Sequence, residues 1–319
     1  TWLGSDRAAE AASALVDACS LIERHGIDPE TVSAARRRLA DARGGTNGYV
    51  GHTFLAVGNS HLDTAWLWPL RETHRKAARS FSTAATMLDR EPDYRFAASQ
   101  AQQFAWIRDE HPGLWNRIRS HVADGRFDLV GSMWVEADCN IPSGESLVRQ
   151  SDHGKRFFRE ELGVDTPGVW LPDTFGYSAA LPQILAQAGI DSFMTQKLSW
   201  NDTNHFPHHS FWWEGIDGTR VFTQLPPADT YNGDFSVPNL RHGVANYGQK
   251  EIRELSLYLY GHGDGGGGPD ADMLGRARRL ADLDGVGRVE LTTASEAMAR
   301  IRTEGADEEL PVWAGELYL

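Results

Sequence analysis

From residue 53 onward the chain alternates short apolar runs with longer amphipathic segments, and few folds accept that rhythm. The runs fall at 53–57, 95–98, 127–130, 168–171, 192–195, 220–223, 256–260 and 288–291. Between most of them, stretches such as 72–89, 101–122, 145–161, 179–188 and 271–283 suit helices. Strand–helix alternation predicts an α/β fold: a mainly parallel sheet with helices outside, open or closed into a barrel. Ahead of it, residues 6–43 read as two helices. Ala12, Leu15, Val16, Cys19 and Ile22 recur at helical spacing, Gly26 stops the first helix, and Asp28-Pro29-Glu30 starts the second. Gly44 to Gly48 reads as a linker.

The unusual polar residues fall just past the apolar runs. His61 and Asp63 follow Phe54-Leu55-Ala56-Val57 and a Gly58-Asn59-Ser60 break. Residues two apart on an extended chain point to the same side, so an imidazole and a carboxylate face one point. That pair is half of a divalent-metal site. Asp173 follows Val169-Trp170-Leu171-Pro172, and Asp264 follows Leu257-Tyr258-Leu259-Tyr260. In a parallel sheet the C-terminal strand ends share one rim, where ligands and catalytic groups collect.

Asp173 sits in a stiff Pro172–Gly176 corner and reads either as the cap of a helix near Ser178 or as a metal ligand and nucleophile. Asp264 sits in Gly261-His262-Gly263-Asp264-Gly265-Gly266-Gly267-Gly268. No Lys-Ser/Thr pair follows, so this is not a phosphate-binding P-loop. A general acid on a ligand-facing loop and a plain flexible loop are the two readings. Two carboxylates at one rim suit glycoside hydrolysis, one attacking the anomeric carbon and the other protonating the leaving oxygen. Trp66, Trp68, Phe175 and Tyr231 are placed either to stack on a sugar ring or to pack the core. Glu136 and Asp138 also follow a strand and are candidates to face the pocket. His205, His208 and His209 are weaker metal candidates, and Trp212-Trp213 reads as core.

A formal net charge of −13 argues against nucleic acid and anionic membranes as partners, since both demand a basic face. Arg36-Arg37-Arg38 reads as a solvated helix face. No apolar run reaches a membrane span, and Thr1 to Asp6 lack a signal-peptide pattern. With only Cys19 and Cys139, the chain is expected in a reducing compartment, the cytoplasm.

The stretches GNSHLDTAWLWPLRET, GSMWVEAD, VWLPDTFGYSAALPQIL, TYNGD, YGHGDGGGGP and LPVWAGELYL resemble glycoside hydrolase family 38, the α-mannosidases, most of all its bacterial and cytosolic or vacuolar branch. They run in family order over roughly residues 50–319. The resemblance implies a parallel (β/α) barrel-like catalytic domain at 49–305, behind an N-terminal helical segment and linker at 1–48. Residues 306–319 would begin a truncated downstream region. It implies a bound Zn²⁺, or another divalent cation, held by His61, Asp63 and Asp173. Asp173 matches the nucleophile as well, and Asp264 the acid/base position. Trp66 and Phe175 match sugar-stacking positions, Lys197 either lies where an Arg or Lys approaches the site or is a solvated surface lysine, and Tyr231 matches a pocket tyrosine. The family's fourth metal ligand is a histidine in a His-Arg-Gly-Thr segment beyond Leu319, so the resemblance implies a piece of a longer enzyme, with water or His262 as a stand-in ligand.

The implied activity is retaining, metal-dependent hydrolysis of terminal α-mannosides on a mannose-containing oligosaccharide, through a covalent mannosyl–Asp intermediate. A non-catalytic sugar-binding fragment and a metal-dependent polysaccharide deacetylase are the alternatives. A homo-oligomer is left open.

Overall fold

The computed structural model describes residues 5–43, 51–283, 285–304 and 309–319. The expected linker at Gly44–Gly48 and the boundary at 305/306 lie outside the described residues. Helices α1 (Ser5–His25) and α2 (Pro29–Arg43) form the N-terminal pair. Gly26 takes a left-handed φ of 83° after α1, and the Asp28 carboxylate accepts from the amides of Glu30 and Thr31 to start α2. Arg36, Arg37 and Arg38 are exposed, as expected, but so are Leu15 and Val16.

The body then runs β1 (Thr53–Asn59), α3 (Leu70–Arg90), β2 (Phe96–Ala98), α4 (Ala101–Glu110), α5 (Pro112–Ala123) and β3 (Phe127–Leu129). It continues through α6 (Gly144–Leu162), β4 (Gly168–Trp170), β5 (Gly176–Tyr177), α7 (Leu181–Gln187) and β6 (Ser192–Met194). Next come β7 (Ser210–Glu214), β8 (Arg220–Gln224), α8 (Val237–Asn246), β9 (Leu255–Tyr260) and α9 (Ala271–Leu280). The last elements are β10 (Arg288–Leu291), α10 (Ala294–Thr303), β11 (Val312–Ala314) and β12 (Leu317–Tyr318).

The alternation builds strands and helices where it predicted them; α8, α10 and β11 form where no run or stretch was named, and two further differences are of substance. The stretch 101–122 is two helices, because Pro112 has no amide to continue α4 and instead opens α5. A strand the apolar pattern did not mark, β7, pairs antiparallel with β8 across an Asp217-Gly218 turn. Otherwise pairing within the two larger sheets is parallel. One sheet holds β9, β10, β1, β2 and β3; the other runs β11-β7-β8-β6-β4. Leu55, Val57, Leu257 and Leu259 from the first share one apolar core with Trp170, Met194 and Phe222 from the second. The two sheets thus wall a common interior, barrel-like, without one continuous hydrogen-bonded ladder around it.

Every residue of β1 after Thr53 is buried, as a central parallel strand covered on both faces must be. Each large apolar side chain so buried contributes about 1.5–3 kcal/mol. Outside, α3 turns Ala77, Phe81, Ala84, Ala85 and Leu88 inward. Helix α6 holds the segment after β3: the Trp134 amide donates to the Gln150 carbonyl at 2.9 Å, and the Val135 amide to the Gln150 side chain at 3.0 Å. Its Gly154 makes that approach possible, since a Cβ there would lie 2.3 Å from the Ser132 carbonyl oxygen.

Two outcomes follow from this packing. Gly154→Ala should destabilise the fold by about 1–3 kcal/mol in denaturant titrations, because the backbone clash outweighs the helix-propensity gain of about 1 kcal/mol. Burial also pushes His52 down to about 4 and His209 down to about 3. A histidine depressed in the fold withholds a proton that the unfolded chain accepts. Stability is therefore full above the unfolded value near 6.5 and falls as pH drops toward 4. The thermal midpoint should decline over that window, and His52→Asn should make the decline shallower.

Candidate active site

The rim formed by the C-terminal ends of the parallel strands gathers the chemistry. Past β1 comes the His61-Leu62-Asp63 corner. The side-chain amides of Gln100 and Gln103, just beyond β2, both donate to the Leu62 carbonyl, at 2.8 and 2.9 Å. Leu62 also bridges to Gly265, which brings the glycine-rich loop after β9 against this corner. Asp173 arrives past β4, and Lys197 past β6. Asp173 does not cap α7, which begins at Leu181 behind Ala180.

His61, Asp63 and Asp173 each offer a ligand atom, and these atoms lie within 4.8 Å of one another. His61 Nε2 stands 3.5 Å from Asp63 and 3.3 Å from Asp173, and its Nδ1 stands 2.7 Å from Glu136. The imidazole is 2% exposed, yet neither ring nitrogen makes a hydrogen bond of acceptable geometry. Orphaned buried nitrogens facing carboxylates are costly unless a cation joins them. Lys197, also 2% exposed, supplies one by pairing with Asp173. With His61 neutral, as a metal ligand must be, three carboxylates and one ammonium leave −3 + 1 = −2, which a divalent cation balances; a proton held on His61 instead leaves −1. An imidazole with two carboxylates is a donor set such ions accept.

Burial alone would raise the Asp173 carboxyl. Its contacts with His61 and Lys197 outweigh that and hold it below the usual aspartate value. For His61 burial works downward, but the Glu136 charge and the contacts with Asp173, Asp63 and Glu136 together raise it well above the ordinary histidine value. Lys197 is thus no surface lysine. Its ammonium lies 3.3 Å from the Trp200 ring centroid and 4.4 Å from that of Phe175.

Asp264 is exposed, at a left-handed φ of 57° within the glycine-rich loop. The Tyr231 hydroxyl donates to one of its oxygens at 2.6 Å, and the Asn232 amide to the other at 3.3 Å. The Tyr231 hydroxyl is raised by burial first, then by its bond to Asp264 and the Asp173 charge. Its ring lies 5.0 Å from that of His61. Tyr231 therefore stands between the two carboxylates and ties the loops after β8 and β9 to the His61 corner.

Trp66 is 62% and Phe175 52% exposed, so neither is core. Trp66 packs edge-on against Trp68 at 5.2 Å, and Phe175 against Trp200 at 6.4 Å. A cleft of about 370 Å³ is lined by His61, Asp63, Glu136, Asp138, Asp173 and Thr174 among others. Some expectations fail. His262 pairs with Asp270 at 3.1 Å instead of joining the metal group. His209 accepts from the Gly248 amide and is buried away from the group, whereas Trp213 is fully buried as the core residue it was read to be. Gln100, Gln103 and Asn232 went unmarked in the sequence, although the rule that led to His61 (look just past each strand) also points to Gln100.

Residues 51–316 match the family model described as Glycosyl hydrolases family 38 N-terminal domain. Alpha-mannosidase 2C1 from Homo sapiens is 45% identical over 291 residues, covering 91% of this chain and 28% of the human protein. An alpha-mannosidase from Saccharomyces cerevisiae is 41% identical over 270 residues, covering 82% of this chain and 25% of the yeast protein. The chain thus spans about a quarter of the length of these relatives. An alpha-mannosidase from Enterococcus faecalis V583 shares the fold, with a TM-score of 0.69 at 18% identity over 83% of this chain and 31% of that one. This chain belongs to glycosyl hydrolase family 38, residues 51–316 forming the family's N-terminal domain.

Proposed function

We propose that the protein is a retaining, metal-dependent α-mannosidase that removes terminal α-mannose from oligosaccharides. The observation that carries this reading is the convergence of His61, Asp63 and Asp173 within 4.8 Å, with Asp173 paired to Lys197. We take residues 49–305 as the catalytic unit, and the cytoplasm as its compartment on the scarcity of cysteine. Among the described residues no helix is long and apolar enough to cross a membrane.

In this reading Asp173 is the nucleophile. Lys197 and His61 keep it ionised, so its oxygen can attack the anomeric carbon. As that bond forms, the glycosidic bond breaks, and Asp264 gives its proton to the departing oxygen. Water then attacks the mannosyl–Asp173 ester, Asp264 takes the water's proton back, and mannose leaves with Asp173 free. The Tyr231 hydroxyl and the Asn232 amide each donate to one Asp264 oxygen and hold the carboxylate in place for the second step. For the first step the Tyr231 hydroxyl turns to accept from the protonated acid. Trp66 and Phe175 offer exposed ring faces to the sugar. A divalent cation, Zn²⁺ in the first instance, would be held by His61, Asp63 and Asp173 and would supply positive charge to grip sugar hydroxyls and polarise the ring.

Asp173→Ala should lower kcat/KM on an α-mannoside by about 10⁴-fold, with chelation abolishing activity and Zn²⁺ restoring it. Full activity in that variant would remove Asp173 from the nucleophile role. Mannose binding without turnover in the parent protein would favour a sugar-binding role, and acetate release without mannose release would favour a deacetylase. Asp264→Ala should cost about 10²–10⁴-fold on a mannosyl disaccharide, but far less in the first step on an aryl mannoside whose leaving group needs no proton. Equal losses on both substrates would rule against the acid role.

A further inference from the structure

Glu136 lies outside the group of candidate ligands, and the chemistry above does not use it. It is nonetheless less exposed than Asp63, Asp173 or Asp264. Its side chain is 9% exposed, and one oxygen accepts from the Ser99 hydroxyl at 2.5 Å. Its backbone amide donates to the Gln100 side-chain oxygen at 3.2 Å, and the Thr64 hydroxyl donates to that same oxygen. The segment that delivers it is clamped to α6 through Gln150. The remaining oxygen of Glu136 lies 2.7 Å from His61 Nδ1.

That separation is hydrogen-bond distance, although the angle falls short of a hydrogen bond; a small turn of the ring closes it, and which nitrogen then carries the proton decides what the other one does. A neutral imidazole carries one N–H and one lone pair. If Nδ1 holds the proton toward Glu136, the lone pair is on Nε2, the atom that faces Asp63 and Asp173. A lone pair directed at two carboxylates is repulsive unless a cation lies between them. With Glu136 removed, the proton can move to Nε2, where it would satisfy the carboxylates and block a ligand role.

We propose that Glu136 is a positioning residue that sets the His61 tautomer and ring orientation, leaving Nε2 free for a divalent cation. The proposal rests on the metal reading of the preceding subsection. Such outer carboxylates typically change metal affinity about 10–100-fold.

The test is Zn²⁺ affinity of the intact protein by competition with a chromophoric chelator, for the parent, Glu136→Gln and Glu136→Ala. Side-chain ¹⁵N shifts of His61 in the Zn²⁺-loaded and metal-free forms accompany it. The expected result is a loss of affinity of about tenfold for Glu136→Gln and about a hundredfold for Glu136→Ala. Read in alkaline buffer, where the metal-free ring is neutral, the parent should show an Nδ1–H tautomer that Glu136→Ala loses. If the alanine variant does not fold, the glutamine variant and its ¹⁵N shifts carry the comparison. Affinity within twofold of the parent, or an unchanged tautomer, overturns the positioning role and leaves the metal reading standing. A parent that binds no divalent ion, with Asp63→Ala behaving identically, overturns both.

Discussion

A single buried imidazole sits among three carboxylates, and much of the rim is arranged to make that tolerable. His61 cannot reach water, and its neighbours Asp63, Glu136 and Asp173 all carry negative charge at their formal states. Buried charges persist only when paired, and here Lys197 supplies one partner. The charge that remains is what a divalent cation would neutralise. Residues from the ends of β1, β3, β4 and β6 take part, so the cluster assembles only once the parallel strands are in register.

The supports of this cluster are polar contacts to backbone. Gln100 and Gln103 grip the Leu62 carbonyl, and α6 grips the segment that carries Glu136. Leu62 bridges to Gly265, and Tyr231 donates to Asp264. These contacts couple the glycine-rich loop to the His61 corner through short links. A loop rich in glycine would otherwise place Asp264 loosely, since such residues sample many backbone conformations.

Much of this was legible beforehand because the relevant signals are local. Short apolar runs marked the strands of the parallel core and period-3.6 apolarity its helices, and punctuation marked the ends where His61, Asp63, Asp173 and Asp264 emerge. The misses have physical causes. Strand β7 carries adjacent tryptophans in place of alternation, and its turn chemistry at Asp217-Gly218 was the better signal. Leu15 and Val16 lie on a helix face that the described structure leaves exposed, so periodicity alone overstated their burial.

By itself the sequence determined the α/β class, the order of elements and the placing of ligand-type residues at strand ends, because propensity and amphipathic period act over a few neighbours. Its motifs carried the family resemblance. Only the tertiary structure decided that Glu136 addresses His61, that Lys197 is buried against Asp173, and that Tyr231 donates to Asp264 while its ring packs on His61. Those are contacts between residues 24 to 75 positions or more apart in the chain, brought together by strand register and helix packing, about which local sequence carries no direct signal.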